Sequence, residues 1–350
     1  MLAVVVDAGT SNTRAFLVEE GQIVGRYRRA FGIRDVAVQR SRRELERVVR
    51  QAIAGAVGDA ARATGRRREE LQPAVCLASG MITSELGLCE VPHLEAPAGL
   101  EDLARGVVPC RLSAFAELPL LFIPGVKTAP GRAGARAAEE SDFMRGEETQ
   151  IMGLLAQGRA SGPFLAVILG SHAKFALVDA EGRICRSFST LSGELIRAVA
   201  TQTVLSSSLP RRMPADRSPS AELVQEGVRL VRETGFTRTP FVIRLLDRLS
   251  VLSPEQCFDL LAGAVAAEDV KALQASGLLE GEIRRILVAG NSHRREAFRA
   301  VLATSGAAAA PVEVVGEEEL EEATVRGALS VLEQVKERFP EKMAGGGWSA

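Results

Sequence analysis

Four short segments of this 350-residue chain carry residue types that do chemistry. The first is Asp7-Ala8-Gly9-Thr10-Ser11-Asn12-Thr13-Arg14. A glycine turn brings backbone N–H groups close to an anion, and the side chains of Thr10, Ser11 and Asn12 add polar groups beside it. Asp7, at a strand end, is placed to hold Mg²⁺ through water. Arg14 can offer charge to a phosphate or a carboxylate. The plain alternative is an ordinary hairpin turn. The second segment, Gly170-Ser171-His172-Ala173-Lys174, has the same make-up and could form an opposite jaw on the phosphate tail of ATP. There His172 and Lys174 are either direct ligands or, for Lys174 at a strand start, a solvent-facing charge. The third is Met144-Arg145-Gly146-Glu147-Glu148-Thr149-Gln150. Phosphoryl transfer to a small alcohol needs a carboxylate to orient the hydroxyl and accept its proton, which suits Glu147 or Glu148. The alternative is a helix N-terminus with two dipole-compensating glutamates. Adjacent helical residues point about 100° apart, so at most one faces a given ligand. The fourth, Gly290-Asn291-Ser292 after a short apolar strand, can accept an adenosine, although many α/β proteins contain such a turn.

Other chemistries lack their fingerprints. No Walker A or GxGxxG string occurs, and no Gly-x-Ser-x-Gly elbow. The five cysteines, Cys76, Cys89, Cys110, Cys185 and Cys257, form no CxxC pair, so they read as free thiols in a reducing cytoplasm.

The elements that must position these residues fall into a repeating layout. Leu2–Val6 is an apolar, β-branched run, the pattern of a buried strand, and Thr13–Glu19 and Gln22–Arg28 follow as strands around a Glu20-Gly21 turn. Ser41-Arg42-Arg43-Glu44 is a capping box opening a helix with Leu45, Val48, Val49, Ile53 and Val57 on one face, ending near Gly65. The run Arg66-Arg67-Arg68 reads as a solvated helix end. Pro73–Ala78 is a further strand, leading into Ser79-Gly80-Met81, a turn that can meet a ligand. The second half repeats the opening. Strands are expected at Pro163–Leu169, Lys174–Asp179 and Arg183–Ser187, with a glycine and a hydroxyl in the first turn and Glu181-Gly182 in the second. Helices are expected over Pro254–Ala275 and Glu317–Phe339, and a short strand over Ile286–Val288. Two copies of one layout predict a duplicated α/β domain.

Length and composition agree. At about 150 residues per domain the chain holds two domains. The expected division is 1–142, 143–342 with the last helix returning to the first lobe, and a frayed tail over 343–350 that holds Trp348. The stretch 126–142, with Pro130, Gly131 and Gly134, is the best linker candidate. A 46% apolar and 25% charged composition with a net charge of −1 supports a folded core. It gives no default for nucleic-acid binding, and 4% aromatics is too few for a stacking platform. The start lacks a basic signal-peptide region, and no window approaches a membrane span.

Together these strings resemble one family within the actin/hexokinase/Hsp70 superfamily. Asp7-x-Gly9-x-x-Asn12-x-Arg14, the Arg145-Gly146-Glu147-Glu148-Thr149-Gln150 string, Gly170-Ser171-His172-x-Lys174 and Ser192-Gly193-Glu194-Leu195 look like 2-dehydro-3-deoxygalactonokinases, in order and spacing to about residue 330. Ala8 stands where the family often has Trp, and Ser171 where it often has Thr. His293 and Arg294 replace smaller residues in the late turn, and the stretch Thr128–Glu140 is unusual.

The resemblance implies a duplicated ribonuclease-H-like two-lobe fold with an interlobe cleft. It also implies transfer of the ATP γ-phosphoryl group to the 6-hydroxyl of 2-dehydro-3-deoxy-D-galactonate in the cytoplasm. In that scheme Asp7 and the two hairpins hold Mg²⁺ and the phosphates, and Glu147 comes ahead of Glu148 as the base. Arg14 and Arg145 meet the substrate carboxylate, and Gly80, Met81, Thr83, Ser84, Gly193 and Glu194 line the sugar. The partners are then a sugar acid and ATP, with no nucleic acid and no membrane; a homodimer is one option for assembly. A kinase for an epimeric sugar acid, or a non-catalytic ATP-binding regulator, remains as an alternative.

Overall fold

The computed structural model describes residues 1–39, 41–115, 118–129, 134–211 and 217–343. Pro130 and Gly131 of the expected linker, and all of the expected tail except Met343, lie outside them. The chain divides into two compact units. Unit 1 takes Met1–Ser161, Asp179–Arg186 and the chain from Glu318 onward; unit 2 takes Gly162–Val178 and Ser187–Glu317.

Unit 1 opens with β1 (Leu2–Ala8), β2 (Thr13–Glu19) and β3 (Gln22–Arg29), then α1 (Ile33–Gln39) and α2 (Arg42–Thr64). It continues through β4 (Cys76–Gly80), β5 (Leu94–Glu95), α3 (Leu100–Gly106), β6 (Val108–Cys110), β7 (Leu120–Phe122), β8 (Val126–Thr128), α4 (Ala135–Glu140), β9 (Asp142–Met144) and α5 (Glu147–Ala156). Its six-stranded sheet runs β3-β2-β1-β4-β7-β6. The β1–β2 and β2–β3 pairs are antiparallel, and β1–β4 and β4–β7 are parallel. Six of the seven β1 residues are buried, as the unbroken apolar run requires for a central strand. Helix α2 begins at Ser41, whose hydroxyl accepts the Glu44 N–H, and stops at Gly65 in the left-handed region at φ 70°. Its Leu45, Val48, Ala52 and Ala56 join Val4, Val6, Ala15 and Leu17 in one core.

Unit 2 holds β10 (Phe164–Leu169), β11 (Ala173–Val178), α6 (Ser192–Gln202), α7 (Ala221–Thr234), α8 (Thr239–Arg248), α9 (Pro254–Ala275), β13 (Arg285–Gly290), α10 (Ser292–Ser305) and β14 (Val312–Val315); β12 (Ile184–Thr190) ends in it, and α11 (Glu317–Arg338) closes the chain. The five-stranded sheet runs β12-β11-β10-β13-β14, with β10–β13 and β13–β14 parallel. Its core places Leu165, Val167 and Phe175 against Val224, Ala264, Val270 and Phe298. Helix α9 is buried along most of its length because small residues alternate with Leu and Val around its circumference.

The first five strands of the larger sheet, β3-β2-β1-β4-β7, and the five strands of the second follow the same order, and β1–β2, β1–β4 and β4–β7 match β10–β11, β10–β13 and β13–β14 in sense. This is the expected duplicated ribonuclease-H-like topology, with β6 added at one edge. The linker expectation over 126–142 is corrected. Among its described residues, 126–128 form β8 and 142–144 pair with it as β9, with α4 between them. The division between units falls after Ser161, not after residue 142. Three-residue strands carry too little periodicity to be read from sequence.

Candidate active site

In unit 1 the first hairpin forms as expected. The Gly9 N–H donates to the Asn12 carbonyl at 2.9 Å, closing the turn between β1 and β2. The chain after β3 supports it from below: the Ile33 and Arg34 amides donate to the Gly9 and Thr10 carbonyls, each at 3.1 Å. Gly32 lies so close that a Cβ there would sit 2.5 Å from the Gly9 carbonyl oxygen and the Ser11 nitrogen. This support has no signature in the sequence, because Gly32 joins no local pattern.

Asp7 is 8% exposed and pairs in register with Arg14 on one side and Ser79 on the other. Arg14 Nη1 donates to Asp7 Oδ2 at 3.0 Å, and Arg14 Nε lies 3.4 Å from Glu321. Asp7 Oδ1 faces a glycine cradle. A Cβ on Gly80 (φ 86°) would lie 3.1 Å from Oδ1 and 2.8 Å from the Ala8 carbonyl, and one on Gly146 (φ 107°) would lie 3.3 Å from the Gly80 Cα. Only glycine takes both the backbone angle and the contact at these two positions. The buried hydroxyl of Ser79, next to Asp7 across the β1–β4 pair, makes no hydrogen bond.

Gly146 is also the cap of α5, so the positive end of that helix starts at the cradle. The two glutamates diverge. Glu148 is fully buried, and both its carboxylate oxygens accept the Gly146 N–H at 2.8 Å; the Thr149 hydroxyl adds a 3.2 Å bond. Burial, reinforced by the neighbouring Glu147 charge, pushes its carboxyl up to about 7. Glu147 stays half-buried at the first helical position. Helix α5 is pressed onto α11, where a Cβ on Gly153 would collide with the Ala323 carbonyl and one on Gly327 with the Thr149 carbonyl.

Arg145 is tied in place. Its Nη1 donates to the Thr83 hydroxyl and its Nη2 to the Val91 carbonyl, each at 2.7 Å, with His93 Nδ1 at 3.2 Å. Burial lowers its pKa, against the pull of Glu148. Thr83 and Ser84 are buried and donate to the Gly80 and Met81 carbonyls, so within 80–84 it is Met81 that keeps some exposure.

In unit 2 the second hairpin closes with the Gly170 N–H on the His172 carbonyl at 3.0 Å. Lys174 does not face solvent: it is 7% exposed and donates to the Ser189 hydroxyl at 2.5 Å. Ser171 and His172 are partly exposed in the turn. Gly193 and Glu194, expected at the sugar, pack on this hairpin. A Cβ on Gly193 would collide with the Gly170 carbonyl, and the Glu194 N–H donates to the Ser171 carbonyl at 2.8 Å. Gly290 (φ 119°) ends β13, where a Cβ would lie 2.5 Å from the Leu169 carbonyl. Asn291 caps α10 with its side chain, and the Ser292 N–H donates to Glu317 at 3.3 Å.

Mg²⁺ fits the donor set around Asp7. One hard carboxylate oxygen faces an open glycine cradle, and Mg²⁺ characteristically takes one or two carboxylates together with water and phosphate oxygens. Among the described residues no group of three His, Cys, Asp or Glu side chains forms an all-protein metal cage. No helix among them is long and apolar enough to cross a membrane, and all five cysteines are free.

Comparison with known proteins bears on the family and the fold. A Rhizobium meliloti protein provisionally named a 2-dehydro-3-deoxygalactonokinase is 30% identical over 204 residues, and the aligned part spans 57% of this chain and 57% of that relative. A crystal structure from Sinorhizobium meliloti with the same provisional name superposes with a TM-score of 0.70 at 20% identity, covering 95% of this chain and 96% of that one. A reductive activator for a corrinoid, iron-sulfur protein shares the fold more distantly, with a TM-score of 0.55 at 13% identity over 98% of this chain and 62% of its own. The sequence profile described as 2-keto-3-deoxy-galactonokinase matches residues 7–331, and the chain belongs to that family.

Proposed function

We propose that this protein is an ATP-dependent kinase that phosphorylates the 6-hydroxyl of 2-dehydro-3-deoxy-D-galactonate. The observation that carries the reading is the meeting of Asp7, Gly80 and the start of α5 at the ends of β1 and β4, with Glu147 half-buried on that helix. Family membership supports the acceptor.

In this reading Glu147 accepts the proton of the 6-hydroxyl as its oxygen bonds to the γ-phosphorus and the bond to the β-phosphate oxygen breaks, releasing ADP. Glu148 serves α5 by holding the Gly146 N–H. Asp7 is suited to hold Mg²⁺, which when bound neutralises phosphate charge. Gly9, Thr10, Ser11, Asn12 and Arg14 in unit 1 offer donors to phosphate, as do Gly170, Ser171, His172 and Lys174 in unit 2. Gly290, Asn291 and Ser292 take the adenosine. Arg145 is fixed by Thr83, Val91 and His93, yet its Nη1 carries a second N–H that can meet the sugar-acid carboxylate. Gly80–Ser84 frame the sugar beside it. Five free thiols suit a cytoplasmic setting.

The test is ADP release from Mg·ATP with no acceptor, with the galacto acceptor and with its gluconate epimer. Strong stimulation by the galacto acid is the expected result. Stimulation by the epimer alone moves the substrate and keeps the chemistry. A protein that binds ATP but responds to neither acid is not a kinase of this kind.

A further inference from the structure

The second hairpin is held from behind by a side chain to which the sequence alone assigns no role. Arg294, in the first turn of α10, reaches across unit 2. Its Nη1 donates to the Gly170 carbonyl at 2.5 Å and its Nη2 to the Ser192 hydroxyl at 2.8 Å. The Ser192 hydroxyl also bonds the buried carboxyl of Asp269, which accepts from Thr190 at 2.6 Å. Asp269 and Arg294 line one small cavity together with Leu169, Ile196 and Phe298. One guanidinium therefore joins the turn after β10 to α6 and α10.

The first turn of α10 is itself pinned on its other side. His293 Nε2 lies 2.7 Å from Asp259, which is fully buried, and Arg217 grips both oxygens of that carboxylate at 2.6 and 2.5 Å. The backbone N–H of Ser220 adds a 3.1 Å bond to it. His293 and Arg294 thus fix α10 in two directions.

Peptide geometry carries this restraint to the turn. In a planar trans peptide the carbonyl and the next N–H point opposite ways. Arg294 draws the Gly170 carbonyl toward α10, so the Ser171 N–H points away from it. The Glu194 N–H draws in the Ser171 carbonyl, which turns the His172 N–H in the same manner. Tying back two successive carbonyls aims two successive N–H groups, the arrangement that binds an anion.

We propose that Arg294 is a positioning residue for the nucleotide: it holds the second hairpin, the start of α6 and the Gly290–Ser292 turn in one arrangement, so that the hairpin N–H groups are set for phosphate before ATP arrives. This rests on the reading of the chain as ATP-dependent and adds a residue to it. Losing hydrogen bonds from a charged donor changes affinity by about tenfold to a hundredfold.

The experiment measures binding of a non-hydrolysable ATP analogue with Mg²⁺ by calorimetry, and KM for ATP and for the sugar acid, in the wild type, Arg294→Met, Arg294→Lys and Ser192→Ala. Arg294→Met should weaken nucleotide binding and raise KM for ATP by about tenfold or more, with KM for the sugar acid within about twofold. Arg294→Lys, which can still reach one acceptor, should recover part of the loss, and Ser192→Ala should lose about threefold. A rise in both KM values together would mean a loosened fold, and would overturn the proposal, as would wild-type nucleotide affinity in a folded Arg294→Met. If Arg294→Met does not fold, wild-type affinity in both Arg294→Lys and Ser192→Ala overturns it. A wild type that binds the analogue without acceptor-dependent ADP release refutes the kinase reading alone, and calorimetry still decides the role of Arg294. A wild type that binds no analogue refutes both.

Discussion

The two copies of the sheet place the same backbone features at the same points and fill them with different chemistry. Ala8 pairs with both Thr13 and Gly80, and Leu169 pairs with both Ala173 and Gly290. Gly9 and Gly170 therefore open equivalent turns, and Gly80 and Gly290 end equivalent strands, each at positive φ with no room for a Cβ. The matching side chains diverge. Asp7 faces Arg14 in the first copy, whereas Ile168 faces Lys174 in the second. The strand after the crossover is followed by a 3₁₀ turn at Met81–Thr83 in unit 1 and by a long helix, α10, in unit 2. The backbone of the glycine turn is thus shared, while the first copy alone carries a carboxylate at its strand end. In the proposed reading, metal and proton chemistry fall to the first copy, and the second is left with holding.

The sharpest way to break that division is at Glu147. Glu147→Gln keeps size and helix start but removes the proton acceptor, so kcat should fall about a hundredfold to ten-thousandfold while binding of the ATP analogue stays within about twofold. A near-normal kcat would remove the base from the first copy and with it the contrast between the copies.

The strand-end pair gives the next largest effect. Asp7→Asn should lower kcat/KM for Mg·ATP by roughly tenfold to a hundredfold and raise the Mg²⁺ concentration needed for half-maximal rate. Lys174→Met keeps most of the buried stem, so it should raise KM for ATP by about tenfold with an unchanged Mg²⁺ requirement. Titrating Mg²⁺ against both variants separates them. Equal Mg²⁺ sensitivity in the two would show that the copies share the metal work.

What is legible in the sequence is what is contiguous. Asp7 through Arg14, Arg145 through Gln150 and Gly170 through Lys174 each form one turn or helix start, so their order in the chain is their order in space. The meanders and the ends of α9 follow from apolar runs and caps, with Ser253 capping α9 as its Pro254 suggests. Contacts between distant residues leave no trace: Gly32 beneath the first hairpin, Gly153 and Gly327 where α5 crosses α11, and Arg294 behind Gly170, 124 positions away. The strands β5 to β9 escape a sequence reading because two or three residues, several beside prolines, show no period. Of the two readings left open for Lys174, the structure excludes the solvent-facing one for a related reason. A strand's first residues are exposed only at an open end, and here Ser189 covers it.

The pair Glu147 and Glu148 sharpens the contrast most finely, because residue type alone leaves them level and only the family resemblance ranks them. Glu148 should be a structural carboxyl with the smallest effect on turnover of the variants considered. Its carboxyl releases its proton near 4.5 in an unfolded chain, whereas burial raises the folded value to about 7. Between those values the folded protein binds more protons, so its stability falls as pH rises from about 4.5 through 7. Each tenfold difference in proton affinity between the folded and unfolded chain is worth about 1.4 kcal/mol, so the loss from this group approaches about 3 kcal/mol. Glu148→Gln cannot titrate and keeps an oxygen to accept the Gly146 N–H. Denaturant unfolding across that pH range should therefore show the variant gaining on the wild type by up to about 3 kcal/mol as pH rises, with kcat within about threefold. A parallel pH profile in the two proteins would show that the Glu148 carboxyl does not titrate there. A collapse of kcat in Glu148→Gln beside a nearly silent Glu147→Gln would exchange the two roles, and the buried carboxyl with the raised pKa would be the base.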